Sequence, residues 1–190
     1  MLQPVTPPKR TSDKPHAGRP APSGRPGRLR VPRALTPVLA AALAGLAVTA
    51  AFPPIGLWWA APVGIAVLLG SLQGRGTGAG AGLGLVFGLA FFAPLLHFTA
   101  VAMGNPIGWV ALTLVQALYT AALGAAWALV GRLPALAGGP GALRAAAVRT
   151  VSFTVLWCGV EELRSSWPWG GFPFGRLAFA MADAPMLPFA

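Results

Sequence analysis

Two long stretches of this chain carry no Asp, Glu, Lys or Arg: residues 34–74 and residues 76–131. A helix that crosses a bilayer needs about 20 mostly apolar residues, so each stretch has room for two. Proline and glycine divide them. Phe52-Pro53-Pro54-Ile55-Gly56 breaks the first stretch, Gln73-Gly74-Arg75-Gly76 ends it, and Met103-Gly104-Asn105-Pro106 breaks the second. The pattern predicts spans over about 34–51, 57–72, 79–99 and 107–130, and a fifth over 145–163. Pro37 falls in a first turn, where a missing N–H costs little. Trp58, Trp59, Trp109 and Trp127 lie near span ends, where an indole keeps its N–H in the interface.

The expected fold class is therefore an all-α membrane protein. Its architecture is a polytopic helical bundle of about five spans plus the start of a further apolar segment toward Phe189-Ala190. Composition agrees: 55% of residues are hydrophobic and 9% charged, against about 25% charged in soluble domains. Gly76, Gly80, Gly84 and Gly88 recur every fourth residue. They form a stripe on which another helix can pack closely. A phosphate-binding loop is the alternative for such glycines, but neither G-x-x-x-x-G-K-[ST] nor G-x-G-x-x-G occurs here.

The net charge of +10 raises nucleic acid as a partner, and its distribution removes it. Eight of the 14 basic residues lie within residues 1–33, from Lys9 to Arg33. That segment is rich in Pro, Gly and Ser, and too poor in apolar residues to offset the entropy of ordering. Residues 1–33 are read as a disordered basic cytoplasmic tail and residues 34–190 as a multi-span membrane domain. A signal peptide ending near Ala51 is the competing reading; the charged region is too long for one. Arg75, Arg132, Arg144 and Arg149 sit in two further turns, while the turns at 52–56 and 103–106 carry no charge. Basic loops stay inside, which puts the N-terminus in the cytoplasm and residues 161–164 at the outer end of the fifth span.

That outer end holds the candidate chemistry. Trp157 to Asp183 contains Glu161, Glu162 and Asp183, three of the four acidic residues of the chain. Trp157, Glu161 and Arg164 share a helix face, so Glu161 and Arg164 can pair there. Pro168, Gly170, Gly171, Pro173 and Gly175 then end any helix. The result is an aromatic loop with Trp167, Trp169, Phe172, Phe174 and Phe179, bracketed by Arg164 and Arg176. Arginines suit phosphate and rings suit acyl chains, so Glu161, Arg164, Trp169, Phe172, Phe174 and Arg176 are the lipid-proximal candidates. A plain interfacial belt is the alternative. His97, near the end of the third span, is read as structural. Gln116 is expected to hydrogen-bond to a neighbouring helix. The single cysteine, Cys158, is read as packing within its span. No metal-ligand spacing or cofactor motif is present.

In order, Trp157, Glu161, Leu163 and Arg164, then Gly170-Gly171-Phe172-Pro173-Phe174-Gly175, then Asp183 and Pro185 resemble bacterial apolipoprotein N-acyltransferase. Ala51-Phe52-Pro53-Pro54-Ile55-Gly56-Leu57-Trp58 is similar to that family's first outer turn. Residues 84–92 are similar to its third span. Phe174 stands where many members carry Trp, and Glu162 where an aromatic is usual. The resemblance implies a multi-pass enzyme of the bacterial cytoplasmic membrane. It implies transfer of an acyl chain from a phospholipid donor to the N-terminal amine of a lipid-modified lipoprotein acceptor, through a cysteine thioester. It also implies a Glu-Lys-Cys triad in a nitrilase-like domain outside the membrane. No Lys follows Lys14, so no catalytic residue is assigned here; the chain is expected to be a fragment, incomplete after Ala190 and inactive alone. A small transporter component and a non-enzymatic membrane scaffold are the competing functions. The former has only Gln116 and His97 as candidate polar groups at mid-span.

Overall fold

The computed structural model describes residues 35–133, 142–168, 170–182 and 184–185. The tail at 1–33, the breakers at 138–141, Trp169, Asp183 and the apolar end at 189–190 lie outside the described residues. Every regular element described is helical: α1 Thr36–Ala50, α2 Ala60–Leu72, α3 Thr77–Leu95, α4 Phe98–Met103, α5 Pro106–Val130, α6 Ala142–Ser166 and α7 Leu177–Ala180. This is a helical membrane bundle. Three helices are long and apolar enough to cross a membrane: α3, α5 and residues 143–166 of α6. The other two expected spans, α1 and α2, are apolar but only 15 and 13 residues long. At 1.5 Å per residue they reach about 20 Å, short of a hydrocarbon core of about 30 Å.

The bundle is organised on α3. Its glycine stripe faces α5, as the spacing predicted. A Cβ on Gly80 would stand 2.5 Å from the Gly124 carbonyl oxygen, and one on Gly84 would strike the Thr120 carbonyl. One on Gly88 would strike the Thr120 hydroxyl and come within 2.7 Å of Ala117 Cα. Backbones this close gain dispersion contacts that lipid cannot replace, which is how helices associate where burial from water offers nothing. Gly76 does not join the stripe; it caps α3 and faces open space. On its other side α3 meets α1, whose Gly45 lies against the Phe87 carbonyl. In turn α2 packs on α1 through Gly64, where an added Cβ would stand 2.6 Å from the Ala44 carbonyl. The aromatic centre is Phe52, Phe87, Phe91 and Phe92, each 5% exposed or less.

The third span was expected to continue to residue 99. It stops at Leu95 because Pro94 has no N–H for the ladder. Pro94 leaves the Ala90 carbonyl without its helical donor, and Thr49 Oγ1 stands 3.5 Å from it; neighbouring carbonyls also take side-chain donors. Thr49 Oγ1 donates to the Phe91 oxygen at 2.9 Å, and Trp109 Nε1 donates to the Ala93 oxygen at 2.8 Å. Inside a bilayer such acceptors have no water to turn to. A short α4 follows, closed by Gly104 at φ 66°. Asn105 then caps α5, accepting from the Ile107 N–H at 3.0 Å, with Pro106 in the first turn. His97 is exposed and sets its ring edge-on to Trp109, 5.4 Å between centroids; that contact fits the structural reading.

Along α6, only 11% of the apolar window is buried, against 39% in α3 and α5. It holds on by one seam, where Phe153 meets Trp127 and Trp157 meets Phe87, both edge-on at 5.3 and 6.1 Å. The helix starts at Ala142, so Arg144 and Arg149 belong to its first turns rather than to a loop. Cys158 is exposed on its outer side. The expectation that this thiol packs inside is thus corrected: Trp157 takes the inward position, and its neighbour turns about 100° away.

Candidate functional site

At the end of α6 and in the loop behind it, charged and polar side chains gather against the bundle. Gly171, at φ 75°, lets the chain double back on α6. A side chain there would strike the Ser165 backbone. The return is fastened by the Phe172 N–H donating to the Arg164 carbonyl at 2.9 Å and the Gly171 N–H donating to that of Pro168 at 2.8 Å. Gly175, at φ 80°, brings the loop against Phe92 and Leu95, each 3.0 Å from where a Cβ would stand. The rings of Phe172 and Phe174 stack at 5.0 Å, and Phe98 of α4 meets Phe174 at 5.5 Å.

Arg164 is only 3% exposed and points into the bundle. Its Nη1 donates to the carbonyl oxygens of Phe172, at 3.3 Å, and Phe174, and lies 3.5 Å from Gln116 Oε1. The guanidinium carbon stands 5.2 Å from the Phe92 ring centroid. A buried cation must be compensated. Here carbonyl dipoles and a ring face touch the guanidinium directly, while Glu161, expected to pair with it, acts on it only through space. Glu161 Oε1 instead accepts from the Leu177 N–H at 2.9 Å, holding the first turn of α7. The ion pair among the described residues is Arg176 with Glu162, 2.5 Å apart and largely exposed. So Arg164 and Arg176 divide: one braces the loop from below, the other lies on its surface.

Two participants were not among the sequence candidates. Gln116, buried in α5, donates from Nε2 to the Phe172 oxygen at 3.4 Å while its own oxygen faces Arg164. Tyr119, one turn on, donates its hydroxyl to the Trp167 carbonyl at 2.6 Å. Both are polar residues within an apolar span, three apart and on one face. That signal was legible, and Gln116 was expected to bond across helices, though not to this loop.

Little space exists beneath the loop. The cavity bounded by Phe92, Trp157, Glu161, Arg164 and Gly175 is about 10 Å³, room for about one water. A ligand of any size must meet the outer side, where Trp167, Phe174 and Phe179 present rings beside the Arg176–Glu162 ion pair. Such a surface suits binding an amphiphile rather than breaking a bond. Of the sequence candidates, the structure gathers Glu161, Arg164, Phe172, Phe174 and Arg176 around one loop; Trp169 lies outside the described residues.

Residues 44–190 match the apolipoprotein N-acyltransferase N-terminal domain. A protein of Mycolicibacterium smegmatis named apolipoprotein N-acyltransferase is 36% identical over 100 residues, a stretch that is 52% of this chain and 17% of that relative. With a helical bundle organised as described and a domain match over most of its length, the chain belongs to the apolipoprotein N-acyltransferase N-terminal domain family.

Proposed function

We propose that this chain is the membrane part of an apolipoprotein N-acyltransferase. The whole enzyme would move an acyl chain from a phospholipid to the N-terminal amine of a diacylglyceryl-cysteine lipoprotein in the bacterial cytoplasmic membrane. The phospholipid ester breaks, an amide forms, and a lysophospholipid leaves. The match of residues 44–190 to the family's N-terminal domain carries this reading. The aligned stretch spans only 17% of the relative, so the chemistry is proposed for the whole enzyme and lipid handling for this part.

Within that reading the loop after α6 is the lipid-proximal surface. Arg176 offers a guanidinium for a phosphate, and Phe174 offers a ring for the acyl or glycerol region. Phe172, Glu161 and Arg164 set the loop's shape, and Trp169 completes its aromatic set in sequence.

The test is a hybrid enzyme whose membrane part comes from this chain. In a strain lacking its own N-acyltransferase, the hybrid is expected to yield lipoproteins with an acylated N-terminal amine, read by mass spectrometry. A hybrid that inserts stably yet leaves that amine free overturns the proposal.

A further inference from the structure

Trp157 sits on the inner face of α6, 7% exposed, with its ring edge-on to Phe87. Its Nε1 is buried and has no hydrogen-bond partner among the described residues. Such an N–H is costly. A buried indole usually finds an acceptor, and the interior of a bilayer supplies none by default.

The small cavity beneath the loop after α6 lies beside this indole. Trp157, Glu161 and Arg164 all line it, with Phe91, Leu123 and Val160 as apolar walls. The three polar residues are four and three apart, so one helix face carries an N–H donor, a carboxylate and a guanidinium to one space. Each has capacity left. Glu161 accepts the Leu177 N–H through Oε1, and a carboxylate can accept several bonds. Arg164 gives Nη1 to the loop carbonyls and Gln116, and its other nitrogens carry further N–H donors. The cavity is about 10 Å³, which admits about one water. A buried water takes about three polar partners, and this space offers that many. A halide ion would suit the two donors, but it exceeds the volume and faces the Glu161 carboxylate.

We propose that one ordered water occupies this cavity, accepting from Trp157 Nε1 and from Arg164 and donating to the Glu161 carboxylate. Trp157 is thereby a positioning residue. Through the water it joins Glu161 to Arg164, which form no direct ion pair among the described residues. The carboxylate that holds the first turn of α7 is tied to the guanidinium that holds the loop, and both are tied to the inner face of α6.

The experiment uses the full chain in lipid nanodiscs, with its tryptophan indoles labelled with nitrogen-15 for NMR. Trp157→Phe identifies the Trp157 indole signal. That N–H should receive magnetisation from water by dipolar transfer while its own proton exchanges slowly with solvent. A Trp157 indole that receives none overturns the water. Benzothienylalanine at position 157 then keeps the fused ring and its packing on Phe87 but puts sulfur in place of the N–H. Proteolysis at residues 170–175 should become about 5-fold faster, the worth of one hydrogen bond. Cleavage at the wild-type rate overturns the positioning role, because a ring that only packs is unchanged by the replacement. Both readouts are independent of acyl transfer.

Discussion

Replacing Arg164 by Ala should loosen the loop after α6 far more than replacing Arg176. The Arg164 guanidinium serves three acceptors, the carbonyls of Phe172 and Phe174 and the amide oxygen of Gln116. Stranding a buried acceptor costs about 1–3 kcal/mol. Phe174 is 51% exposed, so water can reach its backbone and the low end applies. The Phe172 carbonyl keeps its Gln116 donor, so two acceptors at roughly 1 kcal/mol each, with about 0.5–1 kcal/mol from the Phe92 ring contact, give a loss of about 2.5–3 kcal/mol. Arg164→Lys keeps the charge but not the planar fork, and should fall between. Arg176 and Glu162 are 35% and 71% exposed in their side chains, and such a pair contributes about 0.2–1 kcal/mol. The assay is reversible unfolding in mixed micelles, with proteolysis at residues 170–175 as a local readout. The reasoning fails if Arg164→Ala unfolds within about 1 kcal/mol of the wild type. It fails equally if Arg176→Ala costs as much. The outcome also separates two ways of losing acyl transfer: Arg164 variants should lose it through a disordered loop, Arg176 variants with the loop intact.

Other substitutions test the packing. Gly84→Ala puts a methyl against the Thr120 carbonyl and should destabilise by about 1–3 kcal/mol; Gly82→Ala faces open space and should be neutral or stabilise by up to about 1 kcal/mol. Equal effects in the same unfolding assay would refute the α3–α5 interface. Trp109→Phe removes the donor to the Ala93 carbonyl beside Pro94 and should cost about 1 kcal/mol, with Thr49→Val similar at the Phe91 carbonyl; unchanged unfolding would mean those carbonyls are satisfied elsewhere. Cys158→Ala, on the exposed side of α6, should shift stability by less than about 0.5 kcal/mol, and a larger loss would place that thiol in a packed site.

Much of the architecture follows from one-dimensional information. A bilayer demands internally hydrogen-bonded spans of a set length, so uncharged runs and their Pro and Gly breaks mark helices directly. Four of the five main helices were legible this way, with α6 read from the apolar residues between Arg149 and Glu161, and so was the glycine stripe, because its spacing of four is itself helix geometry. The ordered motifs in residues 157–185 pointed to the family without reference to folding. Boundaries were less legible where a side chain far along the chain compensates a break. The end of α3 at Pro94 depends on Thr49 and Trp109, neither of which is near it in sequence. The start of α6 was placed late because arginines read as loop residues, although a helix end at the interface tolerates them.

What only the tertiary structure decided is the partner of each charge. Spacing along α6 allowed Glu161 to pair with Arg164, but spacing cannot reveal that a loop folds back to offer two carbonyls and a backbone N–H. Once Gly171 turns the chain, Arg164 is drawn inward to Phe172, Phe174 and Gln116, Glu161 takes the Leu177 N–H, and Glu162 takes Arg176. Composition and period fix which segments are helical, since those are local matters of length and backbone hydrogen bonding. Which polar groups meet is settled by close packing between helices, through glycines that let distant parts of the chain come together.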